Sequence, residues 1–152
     1  MNSFIVKNAE KCIGKGYKAC KSLTLNINKI NDQNTFDCIG VVIFSLHNSG
    51  FDVRNILSFL SKNLYKTNDF IFIEKFILNL EGLGFVVLEN NNNLQHGDIL
   101  ILYMQNNRLH FAIVAECDNI IKIIHANSEI GKITIEIFDS HLKKHLINII
   151  RL

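Results

Sequence analysis

The sequence predicts an α+β domain, with N-terminal helices packed on one face of a C-terminal antiparallel β-sheet. Three observations carry that expectation. Apolar residues recur at helical spacing through about the first eighty positions. Beyond Gly84 the apolar runs shorten to strand length, each bounded by Asn, Asp or Gly. No repeat, linker or change of composition divides the chain, so residues 1–152 are expected to form a single domain, one long enough to bury roughly 70% of its unfolded surface. Helices first and strands later is the order of an α+β fold, not of alternating βαβ units.

In chain order, Phe4 to Cys12 is a short helix with an apolar stripe of Phe4, Ile5, Ala9, Cys12 and Ile13, ended by Gly14 and Gly16. Tyr17 opens a polar connection running to about Thr35, with Leu23, Leu25, Ile27 and Ile30 as anchors to the core. A connection of that length is usually functional or partly ordered, and here it leads directly to Cys38. Cys38 to Leu46 is apolar nearly all round, which suits a helix at the centre of a domain, and His47-Asn48-Ser49-Gly50 terminates it. Val53, Ile56, Leu57, Leu60 and Leu64 give a second, amphipathic helix, with Lys62 and Lys66 in its solvated C-terminal part. A third covers Ile71 to Leu80 and ends at Gly82 and Gly84. Phe85 to Leu88 is a short strand, and Glu89 to Asn93 a turn. Strands Ile99 to Met104, Leu109 to Ala115, Ile120 to His125 and Lys132 to Phe138 then form an antiparallel meander, which Leu142 to Leu152 closes with a helical turn and a last strand.

Composition narrows the function. A net charge of +2, without a Lys/Arg block interleaved with aromatics, argues against a nucleic-acid partner. No apolar run reaches membrane-span length, and the N-terminus has no basic segment followed by a long apolar core. Neither a membrane span nor a signal peptide is expected, and the protein is expected to be soluble and made in the cytoplasm. Cys12, Cys20, Cys38 and Cys117 form no C-x-x-C pair and have no His pair at ligand spacing, so zinc is not expected, and without export neither are disulfides.

Cys38 stands at the first turn of the central helix. The unpaired N–H groups and positive helix end there favour the thiolate, the form that attacks carbonyl carbon. The plainer alternative is a buried, inert Cys. Further along, His110 begins one strand and His125 ends the next. With Cys117-Asp118 as a two-residue hairpin loop the two His face each other, and with Asp118-Asn119 they lie diagonally. Either register leaves both on one face, whereas a three-residue loop would separate them. On one face, His110 can take the thiol proton and pass it to a leaving amine, while His125 fixes the His110 tautomer. Otherwise the two His simply decorate a sheet edge.

Asp37-Cys38-Ile39-Gly40-Val41-Val42 resembles the signature of the NlpC-type papain-like cysteine peptidases, where Asp-Cys-Ser-Gly-Leu-Val is usual. Leu109-His110-Phe111-Ala112-Ile113-Val114 resembles that family's catalytic-His strand, and Ile124-His125-Ala126 its third polar residue. Ile13-Gly14-Lys15-Gly16-Tyr17, Gly97-Asp98-Ile99-Leu100 and Gly131-Lys132-Ile133 are smaller matches in the same order, so the resemblance spans about residues 4 to 138. The form with Ile after the Cys is most similar to phage-tail and gene-transfer-agent cell-wall peptidases. Gly16 and His96 replace usual Pro residues, and the longer Tyr17-to-Cys38 connection is a place where the substrate groove can differ.

The resemblance implies a papain-like fold and a cysteine endopeptidase or amidase acting on peptidoglycan stem peptides, between D-glutamate and the diamino acid, with no metal or organic cofactor. It implies Cys38 as nucleophile, His110 as base and His125 as the orienting residue, with Tyr17 beside the nucleophile in the substrate pocket. Asp37 either caps the helix, the commoner use of Asp there, or binds the substrate's free amine. The implied partners are peptidoglycan peptides and phage-like tail proteins. Two other classes remain: an acyltransferase or thioesterase with the same triad, and a non-catalytic tail or wall-binding module.

Overall fold

The computed structural model describes residues 1–64 and 66–152. Among them the chain runs α1 (Asn2–Glu10), β1 (Gly16–Tyr17), two 3₁₀ turns (Lys21–Thr24 and Ile27–Asp32), β2 (Thr35–Phe36), α2 (Cys38–Asn48), α3 (Arg54–Asn63) and α4 (Asp69–Glu81). Then come β3 (Val86–Glu89), β4 (Ile99–Met104), β5 (Arg108–Glu116), β6 (Lys122–Asn127), β7 (Lys132–Ile137), α5 (Ser140–Lys143) and β8 (Leu146–Arg151).

Helix α2 is the centre of the fold because its sequence leaves it no polar face. Ile39, Val41, Val42, Ile43, Phe44 and Leu46 are all buried, each contributing roughly 2 kcal/mol of transfer free energy. Its single buried hydroxyl is satisfied within the helix, Ser45 Oγ donating to the Val41 carbonyl at 2.7 Å. Helix α1 lies alongside through Ile5, Val6 and Ala9, and Asn8 Nδ2 donates to Ser49 Oγ at 3.1 Å just past the end of α2. An aromatic run ties α3 and α4 to the sheet: Phe59 to Phe72 (5.3 Å between ring centroids), Phe72 to Phe76 (5.8 Å) and Phe76 to Phe111 on β5 (5.1 Å).

All eight strands share one sheet, in the order β2-β1-β7-β6-β5-β4-β8-β3. The meander β4-β5-β6-β7 is as expected. The short helical turn and last strand that follow it are also as expected, and β8 crosses back to pair with β4, with β3 attached beyond it at the far edge. An ion pair helps hold this return. Arg151 on β8 grips the fully buried Asp98 with two 2.8 Å bonds, and Asp98 also accepts the Gln95 N–H at 2.7 Å. Residues of one pleat parity, such as Ile99, Ile101, Phe111 and Ile113, face the helices. The opposite parity, Leu100, Leu102, Ala112, Val114 and Ile123, packs under Phe138, Leu142 and Leu146.

The polar connection to Thr35 is ordered, one of the two alternatives its length suggested. Short side chains make local bonds there in place of a periodic pattern: Asn26 caps the second 3₁₀ turn, accepting from the Asn28 N–H at 2.9 Å. Strands β1 and β2 pair in parallel, Tyr17 opposite Phe36. That pairing brings Tyr17 beside the start of α2.

Candidate active site

The Cys38 position is built by Asp37. As N-cap of α2 it accepts the Gly40 N–H at 2.7 Å, and its other oxygen accepts both the backbone N–H (2.9 Å) and the hydroxyl (2.7 Å) of Ser22. The buried carboxylate thus fastens the connection onto the helix that carries Cys38. Of the two uses considered for Asp37, the cap is the one observed. A Cβ on Gly40 would lie 2.9 Å from Asp37 Oδ1, so glycine makes room for the cap.

Backbone N–H groups of Phe111, Ile39 and Cys38 face the Cys38 sulfur. Phe111 can do this because the β5–β6 pairing begins one residue on, at Ala112 opposite His125, so the strands part beside the helix end. The expected thiolate is not the resting form. Burial, with the Asp37 carboxylate adding to it, pushes the Cys38 thiol up to about 12, outweighing the N–H groups aimed at it. The helix end favours the anion, but desolvation of the sulfur costs more.

His110 and His125 stand on one face of the sheet, in the diagonal register. The route differs from the expected two-residue loop: residues 117–121 join β5 to β6, and a bulge between Val114 and Glu116 restores the parity. His110 Nε2 and His125 Nδ1 lie 2.7 Å apart, with the rings nearly perpendicular at 83°. Burial and the neighbouring His125 push His110 down to about 3, so its imidazole is neutral at pH 7. With Nε2 engaged, Nδ1 is the His110 nitrogen left for a proton from elsewhere.

Two residues that the sequence reading missed continue the chain of contacts. His125 Nε2 bonds to Glu136 Oε2, and Asn127 Nδ2 donates to Glu136 Oε1 at 2.8 Å. The signal was present in the hairpin at Asn127–Lys132. Its register sets Thr134 opposite His125 and Glu136 opposite Ile123, which puts Glu136 on the face of His125.

Cys38, His110, His125, Glu136, Asp37 and Tyr17 all line one cleft of about 750 Å³, so the structure brings every expected site residue to one place. Tyr17 is held by its N–H to the Gly131 carbonyl (2.9 Å), and its phenol is pushed up by burial, then by the nearby Cys38. Leu64, Phe72, Met104, Ser128 and Glu129 also line the cleft. No group of three or more His, Cys, Asp or Glu among the described residues is arranged to hold a metal ion.

No family model and no curated protein sequence matches the chain. Solved structures do. Two crystal structures of an N-acetylmuramoyl-L-alanine amidase from Bacteroides uniformis superpose with TM-scores of 0.65, at 14% and 15% identity, over 99% of this chain and 97% and 98% of theirs. NlpC1 from Trichomonas vaginalis superposes with a TM-score of 0.57 at 14% identity, over 99% of this chain and 43% of that one. The fold of this chain is therefore the papain-like NlpC fold, helices packed against a curled eight-stranded sheet.

Proposed function

We propose that the protein is a cysteine hydrolase of the amide bonds in peptidoglycan stem peptides. The observation that carries this reading is the His110–His125 pair in the cleft that Cys38 enters from a helix N-terminus, on a fold shared with a named wall amidase. In the proposed reaction, the sulfur attacks the scissile carbonyl carbon as its proton moves to His110 Nδ1. The two events are coupled because neither the free thiolate nor the imidazolium is stable here beforehand. The oxyanion takes hydrogen bonds from the N–H groups at the start of α2, Cys38 included. The intermediate then collapses, breaking the C–N bond, and the amine leaves with the proton from His110. Water, giving up a proton to the same nitrogen, cleaves the thioester and restores the thiol. His125 orients His110, and Tyr17 shapes the pocket beside the sulfur. The sequence resemblance favours the bond between D-glutamate and the diamino acid.

Incubation with purified disaccharide-peptides and mass spectrometry of the products tests this. Cleavage that is lost in Cys38→Ala and His110→Ala supports it. Release of an intact stem peptide from the sugar would move the cut to the amide named for the Bacteroides enzyme. Intact wall fragments with thioester hydrolysis would replace the reading by the acyltransfer alternative. Wall binding unchanged in Cys38→Ala, with no turnover by the wild type, would leave a binding module.

A further inference from the structure

The catalytic proposal needs a lone pair on His110 Nδ1, and nothing in the imidazole itself selects the tautomer that leaves it there. The selection can be followed outward through the contacts. Asn127 Oδ1 accepts the N–H groups of Glu129 (3.0 Å) and Ile130 (3.1 Å) in the turn before β7, which fixes which end of the amide is oxygen. Its Nδ2 is therefore the end facing Glu136, donating to Oε1 at 2.8 Å. A carboxylate only accepts, so His125 must carry its proton on Nε2 to bond Glu136 Oε2. In the neutral His125 ring, Nδ1 is then an acceptor. His110 must place its own proton on Nε2 to reach it, 2.7 Å away.

We propose that Glu136 and Asn127 are positioning residues, a two-residue lock that polarises both imidazoles and keeps the His110 Nδ1 lone pair available to the thiol. Neither touches the reacting atoms. The lock rests on the reading of His110 as the base only for its consequence, not for its existence.

The relay has a direction, and Glu136→Gln should reverse it. Asn127 still offers a donor, so the Gln carbonyl stays on that side and its amide NH₂ turns to His125. His125 Nε2 becomes an acceptor and its proton moves to Nδ1, where it donates to His110 Nε2. The His110 proton is forced onto Nδ1, occupying the lone pair. Adding Asn127→Ala frees the Gln to turn its carbonyl toward His125 and restores the original polarity.

The test uses ¹⁵N-histidine-labelled protein at pH 7 to read the tautomer of each ring, with the backbone amide spectrum as the check on folding. Alongside it runs the nitrophenolate burst from 4-nitrophenyl acetate, an acylation that does not depend on the natural substrate. Wild type should show Nε2–H on both rings, and Glu136→Gln should show Nδ1–H on both with acylation of Cys38 slowed about 100-fold or more. The Glu136→Gln/Asn127→Ala double variant should regain at least about 10-fold, a rescue that a merely structural role for Glu136 would not give. Wild-type tautomers in Glu136→Gln, or no rescue, would overturn the lock. Reversed tautomers with an undiminished burst would uphold the lock and overturn His110 as the base.

Discussion

Asp37 is where the stability of the site is concentrated, and its removal has a calculable effect. Asp37→Ala deletes the cap on Gly40, worth about 1 kcal/mol. It also strips acceptors from the backbone N–H and hydroxyl of Ser22, which is buried, at about 1–3 kcal/mol each. The sum is about 5 kcal/mol at the middle of these ranges, a large fraction of the ~5–15 kcal/mol that holds a domain together. In a chain of this size it corresponds to a fall in Tm of roughly 10–20 °C. Asp37→Asn separates charge from shape. Its carbonyl can keep the cap while its NH₂ faces the Ser22 N–H, so about half the loss is expected. The lost negative charge should at the same time let the Cys38 thiol ionise at lower pH, because the Asp37 carboxylate is one cause of its rise. Urea unfolding gives the first quantity, and the pH dependence of Cys38 alkylation by iodoacetamide, resolved by peptide mapping, gives the second. Asp37→Ala within 0.5 kcal/mol of wild type would show that Asp37 does not hold Ser22 and the helix start together, and a thiol no easier to ionise in Asp37→Asn would show that the carboxylate does not raise it.

Two more outcomes follow from buried groups. His110 sits at about 3 in the folded chain against an ordinary 6.5, so the unfolded chain binds the proton first as pH falls, and stability should drop from pH 6.5 toward 3. Cys38 and Cys12 sit at about 12 against an ordinary 9.0, so stability should also drop as pH rises from 9 toward 12. Urea midpoints across pH should therefore form a plateau between these limits. His110→Asn should flatten the acid side, and an unchanged acid slope would contradict the assignment. Arg151→Ala leaves the Asp98 carboxylate buried without its cation and should cost about 3–5 kcal/mol in the same assay; a loss below 1 kcal/mol would show that Asp98 finds another partner.

The legible parts of the fold were those written in periodicity. The apolar stripe of α3, the all-apolar α2 and the Asn- and Gly-bounded strands could be placed to within a few residues because burial alone decides them. The connection from Tyr17 to Thr35 was opaque because 3₁₀ turns and two-residue strands carry no period. The return of β8 to β4 was opaque because long-range pairing leaves no local mark. Within the site, the shared face of His110 and His125 was legible as a parity, although the actual loop and bulge were not. Glu136 escaped because its role depends on the register of a second hairpin. The thiol's ionisation was misjudged for a different reason: the helix end is visible in sequence, whereas how deeply the sulfur is buried is not.

The position of β8 has a consequence for how the molecule is made. It is the last of the eight strands to leave the ribosome, yet it lies inside the sheet between β4 and β3. Strand β3 emerges about sixty residues ahead of the segment it pairs with, several seconds at roughly 5–20 residues per second. Throughout that interval β3 has no neighbour, and the outer side of β4, with Ile99, Leu100, Ile101 and Leu102, offers unpaired backbone to any passing strand. Chains interrupted before Leu146 should therefore be the ones that aggregate, and chaperones that shield extended apolar segments should act on the nascent chain in that window.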